Sequence, residues 1–269
     1  MKIPKLIACD IDGTLMDYTQ SEFSPELFPL IRRLREQGVL FCPASGRQYS
    51  SLRRLFAPVA DELLYLCENG GIVYHTGGRV LHKTVMDRDK VMALAHEMLE
   101  MGEECEAVLS GANTSYAVLK HPGLDESLRS FTGNNVNVLA RPEDMPEETL
   151  KLSAYCPDGA ARYFERIYQG WNDTFPVAIG GPCWLDTALA DKGVGIRALT
   201  DALGIGLEDV MAFGDNLNDM PMLNVVGMPY VVERSPMTGL PPHFRRCRRV
   251  EEVLEALLKE LEKRTEPEP

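Results

Sequence analysis

Three short apolar runs separated by helical stretches constrain this chain more than any other feature. "KLIACD" carries Leu6–Cys9, "VLFCPAS" carries Val39–Cys42, and "LLYLCENGG" carries Leu63–Cys67. Each is too short for a helix, and none alternates as a half-exposed strand does, so each reads as a strand buried on both faces. Between the first two, "SPELFPLIRRLREQG" reads as a helix with Ser24 as N-cap, Pro25 at the first helical position and Gly38 just past the end. "QYSSLRRLFA" reads as a second helix before the third run. Buried strands joined through helices specify βαβ units, and hence a parallel sheet.

The texture changes near residue 72. "IVYHTGGRVLH" reads as a hairpin around Gly77–Gly78, and "DKVMALAHEMLEMG" as a helix; strand and helix patterns then mix as far as "FPVAIGGPCWLDTAL". The alternation returns with a helix in "KGVGIRALTDALG", a strand in "VMAFGD", a short helix in "LNDMPML" and a terminal amphipathic helix in "VEEVLEALLKELEK". The expected organisation is an α/β core of residues 1–83 and 186–269, a doubly wound parallel sheet, interrupted by an α+β domain of residues 84–185. "RTEPEP" has the composition of a tail. "RRCRRVEE" reads as a solvated helix entrance with its opposite charges paired.

Composition narrows the partners. Among 269 residues the formal charge is −12, which argues against nucleic acid and against anionic membrane surfaces. The insert holds much of that excess, with 8 Lys and Arg against 16 Asp and Glu. Seven cysteines, an odd number with no CxxC pair, favour a reducing compartment over a disulfide framework or a zinc site. No apolar stretch approaches a membrane span, and the four apolar residues before Asp10 are too few for a signal peptide. The expectation is a cytoplasmic protein, a monomer or weak homodimer.

The chemistry gathers where strands end. Asp10 and Asp12 are one residue apart, so in a strand they share a face. At the end of a buried strand two such carboxylates are costly unless a cation or a proton sits between them. The second strand runs into Ser45, Gly46 and Arg47, and the strand of "VMAFGD" into Asp215, then Asn218 and Asp219. Lys192 starts the helix before that strand. Clustered carboxylates suit Mg²⁺, which uses one or two of them with substrate phosphate. Small residues before a helix offer N–H groups to a phosphate, and a lysine supplies a point charge. One Asp can attack phosphorus while a second acts as acid and base. Ser45 can also cap the helix that follows, Arg47 reads equally as phosphate contact or structural ion pair, and Asn69–Gly70–Gly71 reads as a turn.

"DIDGT", "SGR", "DKG" and "GDNLND", in that order, resemble the four motifs of the haloacid dehalogenase superfamily. The chain is similar to its Cof-type sugar-phosphate phosphatases, which carry a large α/β cap between the second and third motifs of a Rossmann-like core. The resemblance implies Asp10 as nucleophile and Asp12 as general acid/base, with the Asp12 carbonyl on Mg²⁺. It implies Ser45 and the Gly46 amide on the phosphoryl group, and Lys192 paired with Asp10 and phosphate. Asp215 is implied as a metal ligand, Asp219 in or just behind the metal shell, and Asn218 on the substrate side. The family's dehalogenases lack the second Asp of the first motif, so Asp12 points to phosphate chemistry. The implied substrate is a small phosphorylated metabolite, with a sugar phosphomutase or a non-catalytic phosphometabolite sensor as alternatives. Two features depart from the pattern: "VVGMPYVVERSP" stands where relatives have an "M-x-N-A" turn, and Asp191 precedes the lysine, where it can serve as a solvated N-cap.

Overall fold

In the computed structural model, which describes residues 2–17, 19–20 and 22–265, the chain opens with β1 (Leu6–Cys9), α1 (Leu27–Glu36), β2 (Leu40–Pro43) and α2 (Tyr49–Leu55). There follow β3 (Tyr65–Cys67), β4 (Ile72–Tyr74) and β5 (Val80–Lys83), a small three-stranded sheet. The insert contributes α3 (Arg88–Glu100), β6 (Glu106–Ser110), β7 (Ser115–Val118), α4 (Leu124–Thr132) and β8 (Val136–Leu139). It continues through β9 (Lys151–Tyr155), α5 (Ala161–Trp171), β10 (Val177–Gly181) and β11 (Trp184–Ala188). The last part holds α6 (Lys192–Leu203), β12 (Val210–Gly214), α7 (Met220–Leu223), β13 (Met228–Val232), β14 (Arg245–Cys247) and α8 (Val250–Thr265).

Five strands form the main sheet in the order β14-β13-β12-β1-β2, and every pairing in it is parallel. β3 joins its flank through a parallel bridge between Ala44 and Leu66. The chain builds outward from β1 in one direction, then returns to β12 and builds in the other. The crevice at the carboxyl ends of β1 and β12 is therefore the topological switch point, where open α/β sheets bind ligands. Leu6, Ala8, Val210 and Ala212 pack on one face against Ile196 and Leu199 of α6 and Met222 and Leu223 of α7. By period two, Ile7, Cys9, Met211 and Phe213 point to the other face, on which Phe41 meets Phe56 in an aromatic cluster with Phe23 and Phe28.

Two compact units result: residues 1–46, 52–82 and 191–269, and residues 47–51 with 83–190. The second unit is a six-stranded sheet, β10-β11-β9-β6-β7-β8, antiparallel except for β7 beside β8. Val91, Leu94 and Met98 of α3 and Ile167 of α5 bury one of its faces, and Leu124 of α4 packs on Val108 and Ala117 of the other. Residues 47–51, which the sequence reading assigns to the first segment, group with this unit, and Gln48 among them is fully buried. Its amide donates to Ser115 Oγ at 2.8 Å and accepts from the Asn135 N–H at 2.9 Å, which satisfies both ends of the side chain.

Two local expectations are corrected, and the atypical "MPYVV" segment acquires a structure. α1 starts at Leu27, with Ser24–Leu27 forming a turn closed by Leu27 N–H to Ser24 O at 3.1 Å; Gly38 does lie just past its end, at φ +82°. The "MPYVV" segment is a strand despite Pro229, because pairing of β13 with β14 begins only at Tyr230 and leaves the proline on a local edge. The Arg-rich stretch supplies β14 before α8, and its charges are paired: Arg248 with Glu252, Arg249 with Glu251 and Glu26. Of the expected tail, Arg264 and Thr265 complete α8, and residues 266–269 lie outside the described residues. Among the described residues, no helix is long and apolar enough to cross a membrane.

The position of α6 depends on two glycines. Gly70 has φ +99°, and a Cβ there would lie 2.0 Å from the Asp191 carbonyl oxygen; a Cβ on Gly195 would lie 2.7 Å from Gly70 Cα. The helix that begins with Lys192 thus rests directly on the turn after β3. Gly70→Ala is expected to lose roughly 2–5 kcal/mol in urea unfolding, from left-handed strain plus overpacking. Gly38→Ala has a similar φ, +82°, but nothing within 4 Å, and should lose only about 1 kcal/mol. Equal losses at the two positions would contradict the close-approach account.

Candidate active site

β1 ends by donating Asp10 N–H to Phe213 O of β12 at 3.0 Å, which sets the Asp10 side chain at the rim of the switch point. Lys192 reaches it from the first turn of α6. Asp191 caps that helix, accepting from Val194 N–H at 2.8 Å while itself exposed, as a solvated N-cap does. Lys192 Nζ donates to Asp10 Oδ1 at 2.5 Å and to Asp219 Oδ1 at 2.6 Å, and its side chain is 0% exposed. The other oxygen of Asp219 accepts the N–H groups of Asp215 and Asn216, at 2.9 and 3.0 Å. Asp219 therefore ties the lysine to the loop after β12, and the Asn216 side chain completes a capping box over the Leu217–Asp219 turn.

Asp215 completes the cluster. Its Oδ1 accepts from Thr14 Oγ1 at 2.9 Å, and oxygens of Asp10, Asp215 and Asp219 all lie within 4.8 Å of one another. Among the described residues, three buried carboxylates gather around the Lys192 ammonium, an arrangement rich in negative charge. An all-oxygen donor set in that state fits a hard divalent cation such as Mg²⁺. Burial alone would lower the Lys192 pKa, but the Asp10 and Asp219 carboxylates outweigh it and leave it raised, so Lys192 is a permanent cation. Burial pushes the Asp10 carboxyl up to about 7, with Lys192 opposing and Asp219 and Asp215 adding to the shift.

Of the four candidate metal residues, the structure brings together the side chains of Asp10, Asp215 and Asp219, whereas the half-buried Asp12 side chain lies in the following turn and outside that group. Ser45 is buried at the end of β2, its N–H on Leu66 O at 2.9 Å and its carbonyl accepting Asn69 N–H at 3.0 Å. A Cβ on Gly46 would come within 3.2 Å of the Asn69 amide, so the Asn69 turn backs this loop. Glu68 and Asn69 hold left-handed φ values of +48° and +52° to form that turn. Asn218 is exposed, and Arg47 is half-buried in the segment that groups with the insert. Asn216 is the site residue that the sequence reading does not single out; its N-x-x-D spacing to Asp219 is the signal that identifies it.

The Asp10 shift has a consequence for stability. Its folded-state value, about 7, exceeds the ordinary 3.8. The folded protein therefore binds that proton more tightly than the unfolded chain, and the associated stabilisation is lost as pH rises from about 4 through about 7. With chelator present, the wild type should lose a few kcal/mol relative to Asp10→Asn between pH 5 and pH 8 in thermal or urea unfolding. A pH-independent difference would contradict the assignment.

Comparison with known proteins identifies the family. The family profile of haloacid dehalogenase-like hydrolases matches residues 7–238. The chain is 24% identical over 234 residues to the 5-amino-6-(5-phospho-D-ribitylamino)uracil phosphatase YbjI of Escherichia coli (strain K12), covering 86% of each chain. It is 26% identical over 234 residues to an HMP-PP phosphatase of Enterobacter sp. (strain 638), covering 83% of this chain and 82% of that one. A solved structure from Eubacterium rectale is similar at TM-score 0.84 and 27% identity, covering 94% of this chain and 98% of the other. With its profile matched over most of its length and an acidic cluster at the switch point of a doubly wound sheet, the chain belongs to the haloacid dehalogenase-like hydrolase family.

Proposed function

We propose that this protein is a Mg²⁺-dependent phosphatase that hydrolyses a small phosphomonoester, such as a sugar phosphate or a related metabolite, through an aspartyl-phosphate on Asp10. One observation carries the reading: the buried Lys192 shared by Asp10 and Asp219, with Asp215 beside them at the carboxyl ends of β1 and β12. The relatives support the substrate class. YbjI is named for a substrate with a phosphorylated ribityl chain.

Lys192 orients the Asp10 carboxylate and favours its ionised form. An Asp10 oxygen attacks phosphorus, and the bond from phosphorus to the leaving oxygen breaks. Asp12 gives a proton to that oxygen, so the alcohol leaves neutral. In the second half Asp12 takes a proton from water as the water attacks phosphorus, the bond between phosphorus and the Asp10 oxygen breaks, and inorganic phosphate leaves. Ser45, the Gly46 N–H and Lys192 are assigned to the phosphoryl oxygens, where donors aimed at developing charge contribute most. Arg47 and Asn218 are assigned to substrate contacts. Asp10, Asp215 and the Asp12 carbonyl would hold Mg²⁺, which when bound supplies charge neutralisation at the phosphoryl group. Asp219, with both oxygens already accepting hydrogen bonds, is assigned to the shell behind. The insert, which lies between the second and third motifs in the chain, is assigned substrate selection.

Phosphate release from a panel of sugar phosphates, nucleotides and other phosphomonoesters tests the reading, run with Mg²⁺ and with EDTA. Release should require the metal, fall by at least about 10⁴-fold in Asp10→Asn, and fall by about 10²–10⁴-fold in Asp12→Ala. Full activity in Asp10→Asn would overturn the mechanism. Isomerised sugar with little inorganic phosphate would identify a mutase instead.

A further inference from the structure

Beyond β13 the chain turns a corner, closed by Ser235 N–H to Val232 O at 3.1 Å, and the side chains at that corner reach two separate loops of the site. Arg234 Nε donates to Gly13 O at 2.6 Å, and its Nη2 donates to Thr14 O. Ser235, buried, donates from Oγ to the main-chain oxygen of Asp215 and accepts Met237 N–H at 3.1 Å. Gly13 and Thr14 belong to the turn that carries Asp12; Asp215 opens the loop after β12. The Thr14 hydroxyl joins the two loops at 2.9 Å through Asp215 Oδ1.

We infer that Arg234 and Ser235 are positioning residues, a clamp that fixes the spacing of the Asp12–Thr14 turn and the Asp215 loop for a divalent cation. The inference rests on the proposed reading of the carboxylate cluster as a cation site. Its chemistry is particular to a guanidinium, whose planar fork spans two successive carbonyls, whereas a lysine offers a single point charge. Both residues grip backbone oxygens, so they act on where the Asp12 carbonyl and the Asp215 carboxylate sit. Mg²⁺ demands near-ideal geometry and so tolerates little drift in its ligands. Partners behind a metal's ligands are typically worth 10–100-fold in metal affinity.

The test is titration of the metal-free protein with Mn²⁺ alone, without substrate, following free Mn²⁺ by its paramagnetic resonance signal. Arg234→Ala should weaken binding by about 10–100-fold, and Ser235→Ala in the same direction by a smaller factor. Arg234→Lys should recover only part of the loss. Arg249→Ala serves as control: Arg249 pairs with Glu26 and Glu251 and should leave the affinity unchanged. Urea unfolding of each variant checks that it folds, and Arg234→Gln replaces the alanine variant should that one fail. Binding by folded Arg234→Ala within a factor of two of wild type overturns the clamp while leaving the phosphatase reading intact. Absence of Mn²⁺ binding by the wild type, or equal binding by Asp215→Asn, overturns the cation site itself and the clamp with it.

Discussion

A buried ammonium shared by two carboxylates organises this protein. Lys192 joins Asp10, 182 residues away, and Asp219, 27 residues away, and none of the three is exposed enough for water to do the same work. Taking such charges out of water carries a penalty of several kcal/mol per ion, which mutual attraction repays only with good geometry and further hydrogen bonds. Those bonds are present in the two N–H groups on Asp219 Oδ2. Geometry comes from the close rest of α6 on the Gly70 turn and from the parallel register of β1 with β12. With Asp215 added, three carboxylates of the described residues gather around this ammonium, a donor set that fits a cation.

The same constraint explains why the insert interrupts the chain without disturbing the core. The strands bearing Asp10 and Asp215 are adjacent in the sheet although distant in sequence, and the α6 helix re-enters beside them. A domain of more than a hundred residues can enter between β5 and α6 because neither end of it supplies a strand of the main sheet. Residues 47–51 show the opposite case: a short segment grouped with the insert and bonded to it through both Gln48 and the Ser50 N–H.

Much of this was legible in the sequence, and the reasons are physical. Leu6–Cys9 and Val210–Gly214 are continuous apolar runs because both faces of a parallel strand are covered, and that pattern is local. Asp10, Lys192, Asp215 and Asp219 sit at strand and helix ends, where the motif spacing marks them. What escaped depends on pairing across the chain. The strand around Pro229 rests on parallel pairing with β12 and β14 that the local sequence does not display. Ser24 has the right chemistry for a cap, but the backbone forms a turn first and the helix starts at Leu27. Arg234 and Ser235 lie in the stretch that departs from the relatives' pattern, but their role is not legible there, since what they bind is backbone, and backbone has no letter in the sequence.

The central claim is that Asp10 carries the phosphoryl group between the two halves of the reaction, with Lys192 and Asp219 holding it in place. The most direct measurement is a rapid quench of the working enzyme, with Mg²⁺ and a turned-over phosphomonoester, into borohydride, followed by peptide mass spectrometry. Hydride reduction of an aspartyl-phosphate leaves homoserine, so the account predicts homoserine at position 10 that appears only when substrate and metal are both present. Trapped product at Asp12, Asp215 or Asp219 would contradict it, as would sustained turnover with Asp10 recovered unmodified at every quench time.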